Sequence, residues 1–186
     1  TSYDVIKIPY TYINSFGGTV NNSTIANDDQ WADLPTAIGF PFCFYENEYD
    51  YTLAGANSLL TFDINEPGAP YFLTGTNTPG SNCGYDFSNN LPSTVDDLFE
   101  QTIYGVYHDI DPEGLPANAM TTRTQGIVGC RKFIAEWNDI PMYSDNSILY
   151  SGMIVLYETT NIIEVYIEEK RIDNNNVSPW NDGNAI

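Results

Sequence analysis

The residues best suited to chemistry lie in the acidic segment 108–113 (HDIDPE), which follows a predicted strand. Asp109 and Asp111 are two residues apart, so their side chains point to the same face of an extended chain. His108 and Ile110 then point to the opposite face. Calcium prefers several oxygen ligands, carboxylates among them. The spacing therefore predicts a calcium site with Asp109 and Asp111 as metal ligands. The alternative is a structural turn in which both carboxylates cap backbone N–H groups.

Aromatic residues in loop-like sequence contexts suggest a second kind of site, one that binds sugars. Pyranose rings stack on exposed aromatic side chains, and Asn, Asp and Gln side chains bind their hydroxyl groups. The candidate ligand-binding residues are Trp31, Tyr71, Tyr85 and Trp180. Trp137 lies within a predicted strand and is assigned to the core. The alternative is that the four candidate rings pack under the long loops rather than face solvent.

Catalytic chemistry finds little support in the sequence. A Ser-His-Asp hydrolase would have to use His108, the only histidine, and no Gly-x-Ser-x-Gly elbow is present. A glycosidase needs two carboxylates across a cleft, but among 25 acidic residues some pair always meets that condition loosely. We therefore predict no catalytic residues and no enzymatic activity.

The charge of the chain restricts its partners. Six Lys and Arg residues stand against 25 Asp and Glu, which gives a net charge of -19. Nucleic acid and anionic membrane surfaces require basic patches that six scattered residues cannot build. Divalent cations suit this charge, and so does a solvated acidic surface without any ligand. The sequence contains no apolar run of about 18 residues, so we expect no insertion into a membrane.

Three cysteines, Cys43, Cys83 and Cys130, allow at most one internal disulfide. Cys43 lies in an apolar run and is expected in the core. Cys83 lies in a polar loop, and Cys130 opens a strand. A Cys83–Cys130 disulfide is the favoured pairing because a loop cysteine gains most from being tied down, and three reduced thiols are the alternative. The chain has no Cys-x-x-Cys pair, so we expect no zinc site.

Strand patterns dominate the elements that must position these residues. In the clearest case Ile163, Val165 and Ile167 share one face of a strand, and Glu164 and Tyr166 lie on the other. One face should be buried and the other solvated, as in an antiparallel sandwich. The predicted strands are Val5–Ile13, Ala37–Tyr45, Tyr49–Ala54, Ser58–Ile64, Ile103–His108, Met120–Thr124, Ile127–Trp137, Ile148–Tyr157 and Ile162–Glu168.

The segments between these strands complete the predicted fold. A hairpin turn is expected at Gln125-Gly126, and at most one short helix at Ser93–Gln101, where Ser93 could cap the first turn. Residues 65–92 form a long irregular stretch rich in Gly, Pro, Asn and Thr. With no repeat and no linker, residues 1–186 are predicted to form a single all-β domain, an antiparallel β-sandwich with long loops. The apolar end at Ile186, just after a turn signal, suggests a fragment of a larger surface protein.

Three blocks of the sequence resemble the nidogen-like β-sandwich domain: Ile38–Asp63, Gly105–Pro112 and Lys132–Glu168. Their order is similar to that in large secreted, adhesin-like surface proteins of Bacteroidota that are exported by type 9 secretion. The resemblance implies export, attachment to the surface through another part of the parent protein, and a role in adhesion or matrix contact. It implies no catalytic residue.

Together these observations predict a non-enzymatic adhesion or display domain on the exterior of the outer membrane, with calcium as its cofactor. The expected partners are an extracellular protein or glycan surface and other domains of the same polypeptide. The alternative function is a carbohydrate-binding module that delivers an appended enzyme to polysaccharide. Exposed Trp31 and Trp180 on one surface would favour the module, whereas a featureless polar surface would favour a structural role.

Overall fold

The computed structural model describes residues 3–10, 21–22, 28–64, 83, 99–116, 118–143 and 145–170. Within these ranges the secondary structure consists of strands, and none of the described residues is helical. The strands are β1 (Asn21–Asn22), β2 (Thr36–Phe44), β3 (Asn47–Gly55), β4 (Leu59–Thr61), β5 (Thr102–Tyr104), β6 (Met120–Gln125), β7 (Lys132–Met142), β8 (Asp145–Tyr157) and β9 (Ile163–Lys170). The described residues also contain no helix long and apolar enough to span a bilayer.

The strands form two antiparallel sheets. The larger has the order β1-β6-β7-β8-β9, and the smaller has the order β2-β3-β4-β5. In β2 every second residue is buried, as expected for a strand with one face on the core. The predicted all-β, antiparallel β-sandwich is therefore confirmed. Strand β1 was not predicted, because two consecutive asparagines carry no strand signal.

The core lies between the two sheets and is rich in aromatic side chains. Trp137 is 1% exposed, which confirms its assignment to the core, and its indole N–H donates to the carbonyl of Gly55 across the sandwich at 3.1 Å. Burying a large apolar side chain contributes about 1.5–3 kcal/mol. The largest fully buried apolar side chains are Trp31, Trp137, Tyr150, Phe42, Phe133, Ile38, Leu53, Leu59, Leu60, Ile110 and Ile134.

The outer face of the larger sheet carries a second apolar cluster, so the prediction of one buried and one solvated face is wrong here. Ile163, Val165 and Ile167 pack against the main core, as their alternation predicts. Tyr166 points the other way yet is only 6% exposed, because it packs with Ile134, Met153 and Val155. The N-terminal segment covers part of this cluster, with Ile8 packed against it and Tyr10 edge-on to Tyr166 at 5.9 Å.

Several predicted boundaries differ from the structure. Residues 5–10 of the predicted strand Val5–Ile13 are not in a strand, and Val5 is 91% exposed; residues 11–13 lie outside the described ranges. The connection at the predicted turn Gln125-Gly126 is a longer loop than expected, because the pairing of β6 with β7 begins only at Gln125 and Lys132. Residues 99–101 of the candidate helix Ser93–Gln101 are not helical, and its other residues lie outside the described ranges. Apart from Cys83, the irregular stretch 65–92 also lies outside them.

The predicted Cys83–Cys130 disulfide is wrong, since all three cysteines are free. Cys83 is completely buried and packs against Gly55, whereas Cys130 is exposed in the loop between β6 and β7. Backbone hydrogen bonds hold Cys83 instead: its N–H donates to the carbonyl of Asp29, and its carbonyl accepts from Asn57. Burial accordingly raises the pKa of the Cys83 thiol. Cys43, expected in the core, is only partly buried.

Candidate metal centre

Two aspartates lie in a tight turn that leads into the smaller sheet. Asp29 has φ of 53°, in the left-handed region that Asp tolerates better than most residues. Directly after the turn, Trp31 forms an antiparallel bridge with Gly55 of β3. This bridge fixes the position of the turn at the end of β3 and brings Asp28 and Asp29 to one edge of the sandwich.

A third aspartate arrives from the segment that crosses between the two sheets. The chain leaves β5 in the smaller sheet, and Ile110 then forms an antiparallel bridge with Met142 of β7 in the larger sheet. The carbonyl of Asp109 accepts a hydrogen bond from the N–H of Tyr143 at 3.0 Å. Asp109 is therefore fixed where the chain crosses between the two sheets, and it is only 6% exposed.

The buried side chain of Asn57, in the turn between β3 and β4, ties these segments together. Its amide nitrogen donates to the carboxylate of Asp29 at 2.8 Å and to the carbonyl of Cys83 at 2.9 Å. Its amide oxygen accepts from the N–H of Ile110 at 2.9 Å. Because its amide donates through nitrogen and accepts through oxygen, Asn57 connects the turn at Asp29 with the crossing segment at Ile110.

The three carboxylates of Asp28, Asp29 and Asp109 converge, and we call them the acidic cluster. One oxygen from each lies within 4.8 Å of the others. Burial, followed by the charges of Asp29, Asp28 and Asp111, raises the pKa of Asp109 to about 8. Burial and the neighbouring carboxylates likewise raise the pKa of Asp28 to about 7. Without a neighbouring positive charge, ionising all three carboxylates at once is disfavoured near neutral pH.

The donor set fits a hard divalent cation. All three groups supply oxygen, which calcium and magnesium prefer, and calcium tolerates irregular coordination at 2.3–2.6 Å better than magnesium does. One oxygen of Asp28, Oδ1, is inaccessible to solvent and has no hydrogen-bond partner among the described residues. A buried acceptor without a donor is costly, and a bound cation would satisfy it.

The structure separates the two aspartates that the sequence predicts as metal ligands. Asp109 belongs to the acidic cluster. Asp111 lies near enough for its charge to raise the pKa values of Asp28 and Asp109, but it is not one of the three converging groups. Its Oδ1 instead accepts from the N–H of Glu113 at 2.7 Å. Asp111 thus makes the backbone cap that the alternative reading describes, although its charge contributes to the site.

The single histidine points into the core, away from the acidic cluster. His108 is completely buried, and its ring stands edge-on to Tyr150 at 4.6 Å. Neither ring nitrogen has a hydrogen-bond partner among the described residues, and burial lowers the pKa of the imidazole well below its usual value. His108 is therefore a neutral core residue that no substrate in solvent can reach.

Of the four predicted sugar-binding residues, only Trp31 lies in the described part of the chain. Trp31 is completely buried and packs edge-on to Phe99 at 5.0 Å, so the expectation of an exposed ring is wrong there. The reason is its bridge to Gly55, which turns the indole inward. Tyr71, Tyr85 and Trp180 lie outside the described residues.

Sequence reasoning missed Asp28, Asp29 and Asn57. The pair of aspartates before a tryptophan (DDQW) is an ordinary turn pattern, and 25 acidic residues give no reason to select it. Asn57 stands between Ala56 and Ser58, where a turn residue is expected and nothing indicates burial. Only the pairing of Trp31 with Gly55 and of Ile110 with Met142 brings these segments together.

Comparison with known proteins gives one finding. The family model described as NIDO related matches residues 2–184, nearly the whole chain. No curated protein and no solved structure matches the chain significantly.

Proposed function

Because the chain belongs to the NIDO-related family, we propose that it is a non-enzymatic extracellular domain for adhesion or display, made rigid by calcium. The observation that carries the proposal is the acidic cluster, in which three carboxylates lie within 4.8 Å at the junction of the two sheets. A cation there would join the turn at Asp28 and Asp29 to the crossing segment at Asp109. Such a link stabilises a domain without taking part in a reaction.

The charges of the chain favour neutralisation of the acidic cluster by a bound ion rather than by Lys or Arg side chains of the chain itself. The chain has only six Lys and Arg residues for 25 acidic ones. Neighbouring carboxylates, including Asp111 and Glu113, add further negative charge around Asp28. In a medium of effective dielectric constant near 20, like charges 4–5 Å apart repel by about 4 kcal/mol per pair. Binding one divalent cation removes that repulsion, whereas protonation would do so only near or below the raised pKa values of the cluster.

The biological setting is a further part of the proposal. We propose export by type 9 secretion and display on the exterior of the outer membrane of a Bacteroidota cell, where adhesion and gliding motility take place. The support is the resemblance of blocks Ile38–Asp63, Gly105–Pro112 and Lys132–Glu168 to adhesin-like cargo of that route. The partners would be an extracellular protein or glycan surface and other domains of the same polypeptide.

The calcium proposal is tested by thermal unfolding at pH 8 in calcium and in chelator. A ligand at a hundredfold its Kd stabilises the folded state by about 2.7 kcal/mol, which is roughly 5–10 °C for a chain of this size. The double variant Asp29→Asn/Asp109→Asn should lose the calcium shift. Asp4→Asn/Asp50→Asn removes two charges from exposed positions and should keep it. Identical melting curves in calcium and in chelator would contradict calcium binding.

The adhesive role is tested with beads that carry the chain, washed under flow over gelatin, mucin and albumin-blocked glass. Retention on gelatin or mucin should exceed that on albumin and should fall in chelator. Beads that carry Asp29→Asn/Asp109→Asn provide the matched comparison, because their surface is otherwise unchanged. Retention equal to that of bare beads on all three surfaces would contradict adhesion.

A further inference from the structure

A cavity of about 310 Å³ opens beside the turn between β2 and β3, and the acidic cluster has no part in it. Its floor is aromatic, with Phe99 almost fully buried and Tyr45 and Tyr49 on the wall. Its rim is polar and includes Glu100 and Gln101 from the segment before β5. The volume lies at the lower end of the range for small-molecule sites, roughly 300–1,000 Å³.

Tyr45 occupies a turn position that other residues would fill more easily. Phe44 pairs with Asn47, so Tyr45 and Glu46 form a two-residue loop, with φ of 45° and 73°. This is the type I′ geometry, in which both central residues need positive φ and Asn or Gly is preferred. A non-glycine residue in the left-handed region costs roughly 1 kcal/mol. The turn nevertheless carries a tyrosine that is 53% exposed.

The aromatic wall is held in place before any ligand arrives. The ring of Tyr45 stands edge-on to Phe44 at 4.8 Å and to Tyr3 at 5.2 Å. The ring of Tyr49 stacks on Phe62 at 4.8 Å with an interplanar angle of 24°. Phe62 thus holds the ring of Tyr49, which lines the cavity. Rings fixed in this way lose little conformational entropy when a ligand packs on them.

The polar rim offers both donors and acceptors. Tyr49 donates its hydroxyl hydrogen to Oε1 of Gln101 at 2.8 Å, which leaves the amide N–H groups of Gln101 to donate elsewhere. The exposed carboxylate of Glu100 accepts hydrogen bonds. The segment is rigid because the N–H of Phe62 donates to the carbonyl of Gln101 at 3.0 Å, and the Thr102 hydroxyl donates to the carbonyl of Glu100 at 2.7 Å.

These features select the chemistry of the ligand. The carboxylate of Glu100 and the net charge of -19 disfavour an anion. The amide donors of Gln101 disfavour a quaternary ammonium ion, which has no acceptor to offer them. A neutral sugar has an apolar ring face for the tyrosines and hydroxyl groups that both donate and accept. We propose that this cavity binds one neutral hexopyranose ring, such as the terminal sugar of a glycan.

This proposal rests on the adhesive role and specifies the class of ligand that the domain would bind. A separate experiment tests it. Saturation-transfer NMR is run on the whole chain with the methyl glycosides of glucose, galactose and mannose, each in large molar excess over the protein. Tyr45→Asn removes the ring and places a preferred residue in the turn, so the variant should fold with an unchanged or higher Tm. Tyr51→Asn removes an equally exposed tyrosine, 50%, that does not line the cavity.

We expect saturation transfer to at least one glycoside, at least tenfold weaker binding in Tyr45→Asn, and unchanged binding in Tyr51→Asn. Gln101→Glu, which replaces the amide donors by a carboxylate, should also weaken binding at least tenfold. No transfer to any of the three glycosides, or equal binding by wild type and Tyr45→Asn, would overturn the proposal. Saturation transfer to tetramethylammonium, and to none of the glycosides, would overturn it in favour of a cation site.

The two proposals can fail independently. If wild-type beads adhere in calcium and the glycosides do not bind, the sugar site is wrong and the adhesive role stands. If the glycosides bind in a Tyr45-dependent manner and the beads do not adhere, the sugar site stands and the adhesive role is wrong.

Discussion

Two carboxylate sites in this molecule differ in what neutralises them. Glu158 accepts from the backbone N–H groups of Gly129 and Arg131 at 2.8 and 2.9 Å, and its other oxygen pairs with the Arg131 guanidinium at 2.6 Å. These partners lower the pKa of Glu158 to about 2. In the acidic cluster the pKa values of Asp28 and Asp109 are raised instead.

The difference shows how the chain distributes its few cations. At the loop between β6 and β7, Arg131 supplies a permanent positive charge and holds the loop against the start of the β8–β9 turn. At the acidic cluster, the neutral amide of Asn57 is the group that ties the segments together. We expect a site with its own cation to be indifferent to calcium, and a site held by an amide to respond to calcium and to protons. The following predictions test this contrast, beginning with the largest effect.

Replacing Asn57 by alanine should have the largest effect on stability. The change leaves the N–H of Ile110 and the carbonyl of Cys83 without the partners they now have in the interior. Each lost buried hydrogen bond of this kind costs about 1–3 kcal/mol, so we expect a loss of about 3 kcal/mol in chemical denaturation. Asn47→Ala, at an exposed position, is the control. A loss below about 1 kcal/mol would mean that Asn57 does not organise the site.

Replacing Asp109 by asparagine should change stability in opposite directions with and without calcium. In chelator at pH 8 the variant removes a buried charge beside Asp28 and Asp29, and we expect stabilisation of about 2 kcal/mol. In calcium it removes a proposed ligand, and the calcium-dependent rise in Tm should disappear. Differential scanning calorimetry in the two buffers measures both. A variant less stable than wild type in chelator would show that the cluster is not electrostatically strained.

The pH dependence of stability in chelator should reflect the raised pKa values. The native state keeps protons on Asp28 and Asp109 that the unfolded chain releases above about pH 4. Stability is therefore fully present at low pH and is lost as pH rises through about 7 and 8, the native pKa values of the two groups.

This dependence is best measured by urea unfolding between pH 6.5 and 9. Below that range the buried His108 has the opposite effect, because its lowered pKa makes the native state bind fewer protons than the unfolded chain. Saturating calcium should flatten the slope, since the cation replaces the protons. A slope that is the same in calcium and in chelator would argue that the cluster binds no cation.

Replacing Glu158 by glutamine should have the smallest effect and none on calcium. The pKa of Glu158 is lowered, so its contribution to stability is present above about pH 4.5 and is lost as pH falls through about 2. We expect a slightly lower Tm at pH 7 that approaches the wild-type value at pH 2, because the pair is still partly reached by solvent, which weakens its attraction. Glu48→Gln at an exposed position is the control. A calcium shift altered by Glu158→Gln would remove the contrast between the two sites.

Periodicity predicts the strands well where one face packs on the core, as in β2 and β9. It fails where apolar residues also pack on the outer face, since Tyr166 lies in the second apolar cluster, which the N-terminal segment partly covers, and not in the core between the sheets. Asp109 could be selected because its spacing from Asp111 and its place at a strand end are local. Asp29 could not be selected, because its position near Asp109 depends on the bridge between Trp31 and Gly55. That same bridge buries Trp31, which its sequence neighbours do not indicate.

The hydrogen bonds of Asn57 span 28 residues to Asp29 and 53 residues to Ile110. The acidic cluster therefore exists only after distant parts of the chain have met and the two sheets have docked. In an early folding transition state the site for an ion would not yet be formed. An ion bound to the native state would therefore act mainly by slowing unfolding. On the cell surface that we propose for this domain, where proteases and shear act on it, calcium would then lengthen the lifetime of the folded state without making the chain fold sooner.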